Sequence, residues 1–161
     1  MKFIPSIFLA ILALLLVPAD ALAGDNPVQL ALFTPVQIVP ENESVSGLRL
    51  SLIYGANVNV TGFDWGLVTK ATGSVKGIEW AGVGMVEKDF EGWQAGMVSI
   101  TNGAFSGLQM GIYGSAGHLH GLQFGLVNST ETIKGVQIGL INLIKTGGFM
   151  PIFPIVNWGG L

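Results

Sequence analysis

Glycine returns at positions 47, 62, 77, 92, 107, 121 and 135, at intervals of 15 residues and then 14. Each glycine opens a similar phrase: GLRLSLIY, GFDWGLVT, GIEWAGVG, GWQAGMVS, GLQMGIYG, GLQFGLVN and GVQIGLIN. Tandem units of this length mark an architecture in which each unit is one structural element that needs its neighbours to bury an apolar face.

Counting the glycine as position one, the order is glycine, apolar, polar, mostly apolar, small, mostly apolar, apolar. Positions two, four and six share one face of a strand, because strand side chains alternate with period two. A helix would scatter them, and glycine every four or five residues weakens a helix further. Two residues ahead of each later glycine stands another apolar residue: Val60, Val75, Phe90, Phe105, Leu119 and Ile133. The three-residue step from it to position two breaks the alternation, which predicts a bend or bulge at the glycine. Polar stretches such as TKATGS and NSTET predict turns. With apolar side chains taken as the interior, positions two, four and six are the expected core. Trp65, Trp80 and Trp93 would fill its wide part.

The fold class is all-β. Seven 14–15-residue repeats are expected to form a β-solenoid-like stack with terminal caps. The alternative is a closed antiparallel β-barrel of about 8–10 strands. Equivalent units share one environment in a solenoid, whereas strands running up and down through an asymmetric membrane do not. Three alternating residues also span only roughly 13 Å at about 3.3 Å per residue, short of the band of about 25 Å that a membrane barrel presents to lipid. The expected division is a signal peptide over 1–23, an N-terminal cap or first strand over 24–46, the β-repeat region over 47–148, and a C-terminal cap or last strand over 149–161.

The opening MKFIPSIFLAILALLLVPADALA has Lys2, an apolar run through Val17, Pro18, and a small-x-small end at Ala21-Leu22-Ala23. This is the pattern of a secretory signal cleaved after Ala23, and its apolar run is short for a bilayer span of roughly 20 residues. The expected location is the cell surface, outer membrane or periplasm of a bacterium. With no cysteine in the chain, such an exported protein holds itself together by packing and backbone pairing rather than disulfides. Net charge is −3 and no basic patch is present for nucleic acid.

The phrases GLQFGLVN and GVQIGLIN, together with GLRLSLIYGANVNVTGFDWGLV and the ending PIFPIVNW, resemble the bacterial surface-repeat proteins of leptospiral type, whose hallmark is a tandem Gly-Leu-Gln-x-Gly-Leu-x-Asn phrase. The resemblance covers residues 28–158. It implies an exported, envelope-associated protein and carries no enzymatic activity and no functional residues. The early units depart from the phrase: Arg49, Asp64 and Glu79 stand where later units have glutamine, and Ala81-Gly82 replaces the Gly-Leu step.

The polar third position, Arg49, Asp64, Glu79, Gln94, Gln109, Gln123 and Gln137, is the candidate site. Stacked, these residues form one ladder in which Arg49 and Asp64 pair and the glutamines link their amides along the axis. Such a ladder is solvent-facing or structural; its functional reading is a polar stripe that recognises a glycan or lines a narrow lumen. In a solenoid, a cysteine placed at Gln109 is expected to meet a bulky reagent. His118 and His120 share a face if extended, but no cysteine or carboxylate stands close in sequence to complete a metal site. Glu87, Asp89 and Glu91 read as a solvated turn rather than a calcium loop. The Asn42, Asn59 and Asn128 sequons are short enough to arise by chance. No nucleophile-elbow spacing or phosphate-binding loop appears. The expectation is a non-enzymatic, envelope-associated protein without cofactor that presents a rigid β surface for interaction or has a structural role; the alternative is a small outer-membrane β-barrel with a structural or pore role. Its partner would be a macromolecule or envelope component, with outer-membrane association or self-association through sheet edges as the routes.

Overall fold

The computed structural model describes residues 26–160; the expected signal segment lies outside the described residues. The strands are β1 (Val28–Phe33), β2 (Val36–Gln37), β3 (Val45–Asn57), β4 (Val60–Ala71), β5 (Val75–Val86), β6 (Phe90–Thr146) and β7 (Ile152–Gly159). They form one sheet in the order β2-β1-β3-β4-β5-β6-β7.

The repeats stack as a parallel β-solenoid and do not close into a barrel. β3, β4, β5 and the start of β6 pair in parallel with like positions opposed, Gly47 to Gly62 to Gly77 to Gly92. β6 is 57 residues long because it winds through the remaining coils without a break. Within it Gly107 lies on Gly92, Gly121 on Gly107 and Gly135 on Gly121. The shorter spacing arises at a corner. Thr101 and Phe105 bracket three residues, whereas Ala116 and Leu119 bracket two, and the strand runs through.

The expected bend or bulge is not found at the opening glycine, where the pairing register runs on without a shift, although all seven of these glycines have positive φ between 118° and 154°. At Gly107 (φ 134°) a Cβ would collide with the Gly92 carbonyl oxygen of the coil below. Glycine is required there both for the dihedral and for the close approach.

The alternation, however, is not broken. Val60, Gly62, Asp64 and Gly66 are all buried, two residues apart, and the same phase holds in the other coils. The apolar residue ahead of each glycine is therefore in step with the polar third position. This inverts the expected packing: positions two, four and six point outward. Trp65, Trp80 and Trp93, expected in the core, are 42%, 55% and 42% exposed. The interior of a coil this short admits one layer of side chains, and the glycines and small residues in phase with position three leave no room for an indole.

The true apolar core is a column at one end of the cross-section. It runs Val60, Val75, Phe90, Phe105, Leu119 and Ile133, faced by Ala71, Val86, Ala116 and Ile144. Phe90 and Phe105 stack with ring centroids 5.2 Å apart and planes 12° from parallel. Burying such a side chain stabilises by about 1.5–3 kcal/mol. Polar turn residues form their own column. The Asn59 side-chain oxygen accepts from the Ser74 amide at 2.9 Å, and an Asp89 carboxylate oxygen accepts from the Ala104 amide at 2.8 Å.

Non-repeating strands lie at both ends. β1 runs parallel to β3, placing Gln29 opposite Arg49, and β2 folds back antiparallel on β1. β7 runs antiparallel to the last coil, with Asn157 opposite Gln137.

Candidate functional site

All seven third-position residues are buried, each at most 1% exposed. The ladder is thus an interior one, and the solvent-facing alternative does not hold. Nor does Gln109 meet solvent as expected.

The glutamines are joined head to tail, all in one direction. Gln94 Nε2 donates to Glu79 Oε1 (2.8 Å), Gln109 Nε2 to Gln94 Oε1 (2.7 Å), Gln123 Nε2 to Gln109 Oε1 (2.5 Å) and Gln137 Nε2 to Gln123 Oε1 (2.7 Å). Spare N–H groups reach interior carbonyls such as Ser115 O and Ser129 O. Every amide dipole points its positive end toward the N-terminal coils, and chains of hydrogen bonds polarise one another cooperatively. The ladder fits because its neighbours are small. A Cβ on Gly84 would meet the Glu79 carboxylate, and one on Gly114 the Gln109 amide oxygen.

At the receiving end stands a buried charged group. Arg49 grips Asp64 with two hydrogen bonds, Nε to Oδ1 at 2.8 Å and Nη2 to Oδ2 at 2.5 Å, and Nη1 donates to the Lys70 carbonyl at 2.9 Å. Burial opposes the Arg49 charge, but Asp64 outweighs it and raises the guanidinium above its ordinary value. Glu79 is different. Burial first, and then the adjacent charge of Asp64, push its carboxyl up to about 8, with Gln94 and Arg49 pulling partly the other way. At neutral pH the interior therefore holds one ion pair and one predominantly protonated acid.

The buried polar register, though not its hydrogen-bonded chain, extends beyond the sequence repeat. Gln29 and Asn157 occupy the same register at the two ends and are fully buried. Gln29 exchanges hydrogen bonds with Val39, its amide donating to the carbonyl and its oxygen accepting from the N–H, both at 2.8 Å. Asn157 donates to the Met150 carbonyl at 2.8 Å. Sequence reasoning missed both. Val28-Gln29-Leu30 carries the apolar-polar-apolar core of the phrase without its glycine, whereas β7 runs backwards and offers no phrase to match.

The other candidates stay apart. His118 Nδ1 and Thr132 Oγ1 are 2.8 Å apart, one coil removed, with Leu119 buried between the two exposed histidines. Among the described residues no group of three or more His, Cys, Asp or Glu side chains gathers in a metal-holding arrangement. Glu87 pairs with Lys70, Glu91 with Lys76, and Asp89 caps the next turn, so the three acids serve different neighbours.

What faces outward is the apolar side of the repeat. The corner after position five exposes two successive apolar residues, as at Leu52-Ile53 and Leu140-Ile141. Across positions two, four, six and seven of all seven units the only polar side-chain groups are the Tyr113 hydroxyl and the indole N–H groups of Trp65, Trp80 and Trp93. β1 and β7 continue the face, with Val28 opposite Leu48 and Trp158 opposite Val136. No protein-family model matches the chain, and neither a curated protein nor a solved structure matches it.

Proposed function

We propose that this chain is an exported, non-catalytic, envelope-associated protein whose rigid β-solenoid presents a surface for docking. The observation that carries the reading is the inversion of polarity. The hydrogen-bonding groups of the third position are consumed inside the stack, while an uncharged apolar face is left outside. Contiguous exposed apolar surface of this kind marks an interaction site. The ladder itself serves as scaffold, since its amides are spent on one another. The signal-like opening and the resemblance of the repeated phrase to leptospiral-type surface proteins support the envelope setting. A pore role is not supported, because the coil interior is filled by its own side chains.

Fractionation of the producing cell tests the reading. Antibody detection should find a chain that begins at Gly24 in the envelope or periplasmic fraction. An unprocessed chain in the cytosol would overturn it.

A further inference from the structure

Resting on that surface reading, we infer that the occupant of the apolar face is lipid: the solenoid lies along a membrane surface with positions two, four, six and seven among the acyl chains of one leaflet.

Size comes first. From β1 through the seven coils to β7 the face has nine rungs. At about 4.8 Å per rung it is roughly 38 Å long, and positions two to six make it roughly 13 Å wide. That is roughly 490 Å², in the upper part of the range of about 300–600 Å² for the largest apolar patch of a monomer, a size that is often functional.

Shape decides between occupants. The face does not end at a plane. It turns the corner, where Leu140 is 66% exposed beside Ile141 at 46%, and continues onto both ends, where Ile38 is 65% and Ile155 71% exposed. A second rigid copy can cover one plane of such a convex surface and leaves the rest in water. Acyl chains conform to all of it. The face also holds an apolar hollow of about 280 Å³, floored by Gly111, Gly125 and Gly139 and walled by Phe124, Leu126 and Ile155. A methylene chain fits a trough of that character.

Charge fixes the pose. The ion pairs Lys76–Glu91 and Lys145–Glu131 lie on exposed strand residues outside positions two, four, six and seven, the first of them two residues ahead of Ile78 and Trp93 at the border of the face. A solenoid passed through the bilayer would carry those charges into hydrocarbon, which is costly. Lying flat keeps them in water, as interfacial amphipathic elements do. Positions two, four, six and seven carry no cation, so binding through them depends neither on anionic headgroups nor on salt.

The tryptophans provide the test. All four, Trp65, Trp80, Trp93 and Trp158, are outward, so their emission reports this face. The mature chain, residues 24–161, is mixed with phosphatidylcholine vesicles carrying brominated acyl chains. It should float with the vesicles, shift its emission to the blue and be quenched, equally at low and high salt. The pair Leu126→Glu and Leu140→Glu should bind at least about tenfold more weakly with an unchanged circular dichroism spectrum. Leu126→Ser with Leu140→Ser gives a smaller loss in the same direction should the glutamates disturb folding. A chain that ignores vesicles yet forms a discrete dimer with shielded tryptophans overturns the lipid assignment and leaves the docking surface standing. A chain that stays monomeric with water-exposed tryptophans overturns both.

Discussion

Gln94 donates its amide to Glu79 at 2.8 Å, and there a run of neutral amides meets an acid that holds its proton to about pH 8. This single contact joins the regular part of the interior to its charged end. It also gives the fold a built-in pH dependence.

The unfolded chain releases the Glu79 proton near the ordinary value of 4.5, whereas the folded chain keeps it until about 8. Between those values the folded state binds more protons, so stability falls as pH rises and levels off above the folded value. Glu79→Gln should remove that contribution, and its amide can donate to Asp64. The variant should be more stable than the parent by about 1–3 kcal/mol at pH 9, with little gain at pH 4. Urea denaturation across this range measures it, and parallel pH profiles for the two chains would refute the assignment.

Arg49 and Asp64 are both fully buried, so neither can lose its partner cheaply. Asp64→Asn should cost about 3–5 kcal/mol by stranding the guanidinium. Replacing both with glutamine lengthens the amide ladder downward and should restore most of the loss. A double-mutant cycle reads the coupling directly; additive losses would show that the pair acts as two independent residues.

Gly107→Ala and Gly147→Ala separate dihedral strain from collision. Both glycines have positive φ, but a Cβ at Gly107 meets the coil below while nothing lies within 4 Å of one at Gly147. Strain alone costs about 1–3 kcal/mol. The Gly107 variant should lose clearly more than the Gly147 variant in thermal unfolding, and equal losses would argue against the glycine stack.

Inside and outside can be assigned chemically. Phe105→Ala should cost about 3–5 kcal/mol as a core truncation, whereas Trp80→Ser should stay within about 1 kcal/mol of the parent. The chain has no cysteine of its own. Single cysteines at Gln109 and Ile112 can therefore be compared directly, with Ile112 labelling in the native state and Gln109 only after unfolding. Rapid native labelling at Gln109 would mean the ladder faces solvent.

The stacking and its register were legible because glycine spacing is a count, and a parallel stack opposes like with like. The Arg49–Asp64 pair and the glutamine chain followed from the same register. What failed was the sense of the strand. Period two says which side chains share a face and not which face is enclosed. The step from Val60 to Phe63 drew attention as a break, while the unbroken step Val60, Gly62, Asp64, Gly66 held the answer. A phase in which glycine and small residues accompany an apolar residue marks a cramped interior, whatever its polar content. Gln29 and Asn157 lay outside the repeat: parallel β1 carries the phrase without its glycine, and only the antiparallel return of β7 brings Asn157 into line.

At the far end of the ladder, Gln137 Oε1 is buried and accepts no hydrogen bond from the described residues, because the Asn157 amide is turned to Met150. The interior thus finishes on an open acceptor. An extra unit inserted ahead of β7 would bring a glutamine whose amide meets that oxygen, with no change to the coils already in place. Duplication of a short stretch of gene could lengthen such a stack by whole coils, and the polarity of its amides makes the C-terminal end the natural place for it to grow.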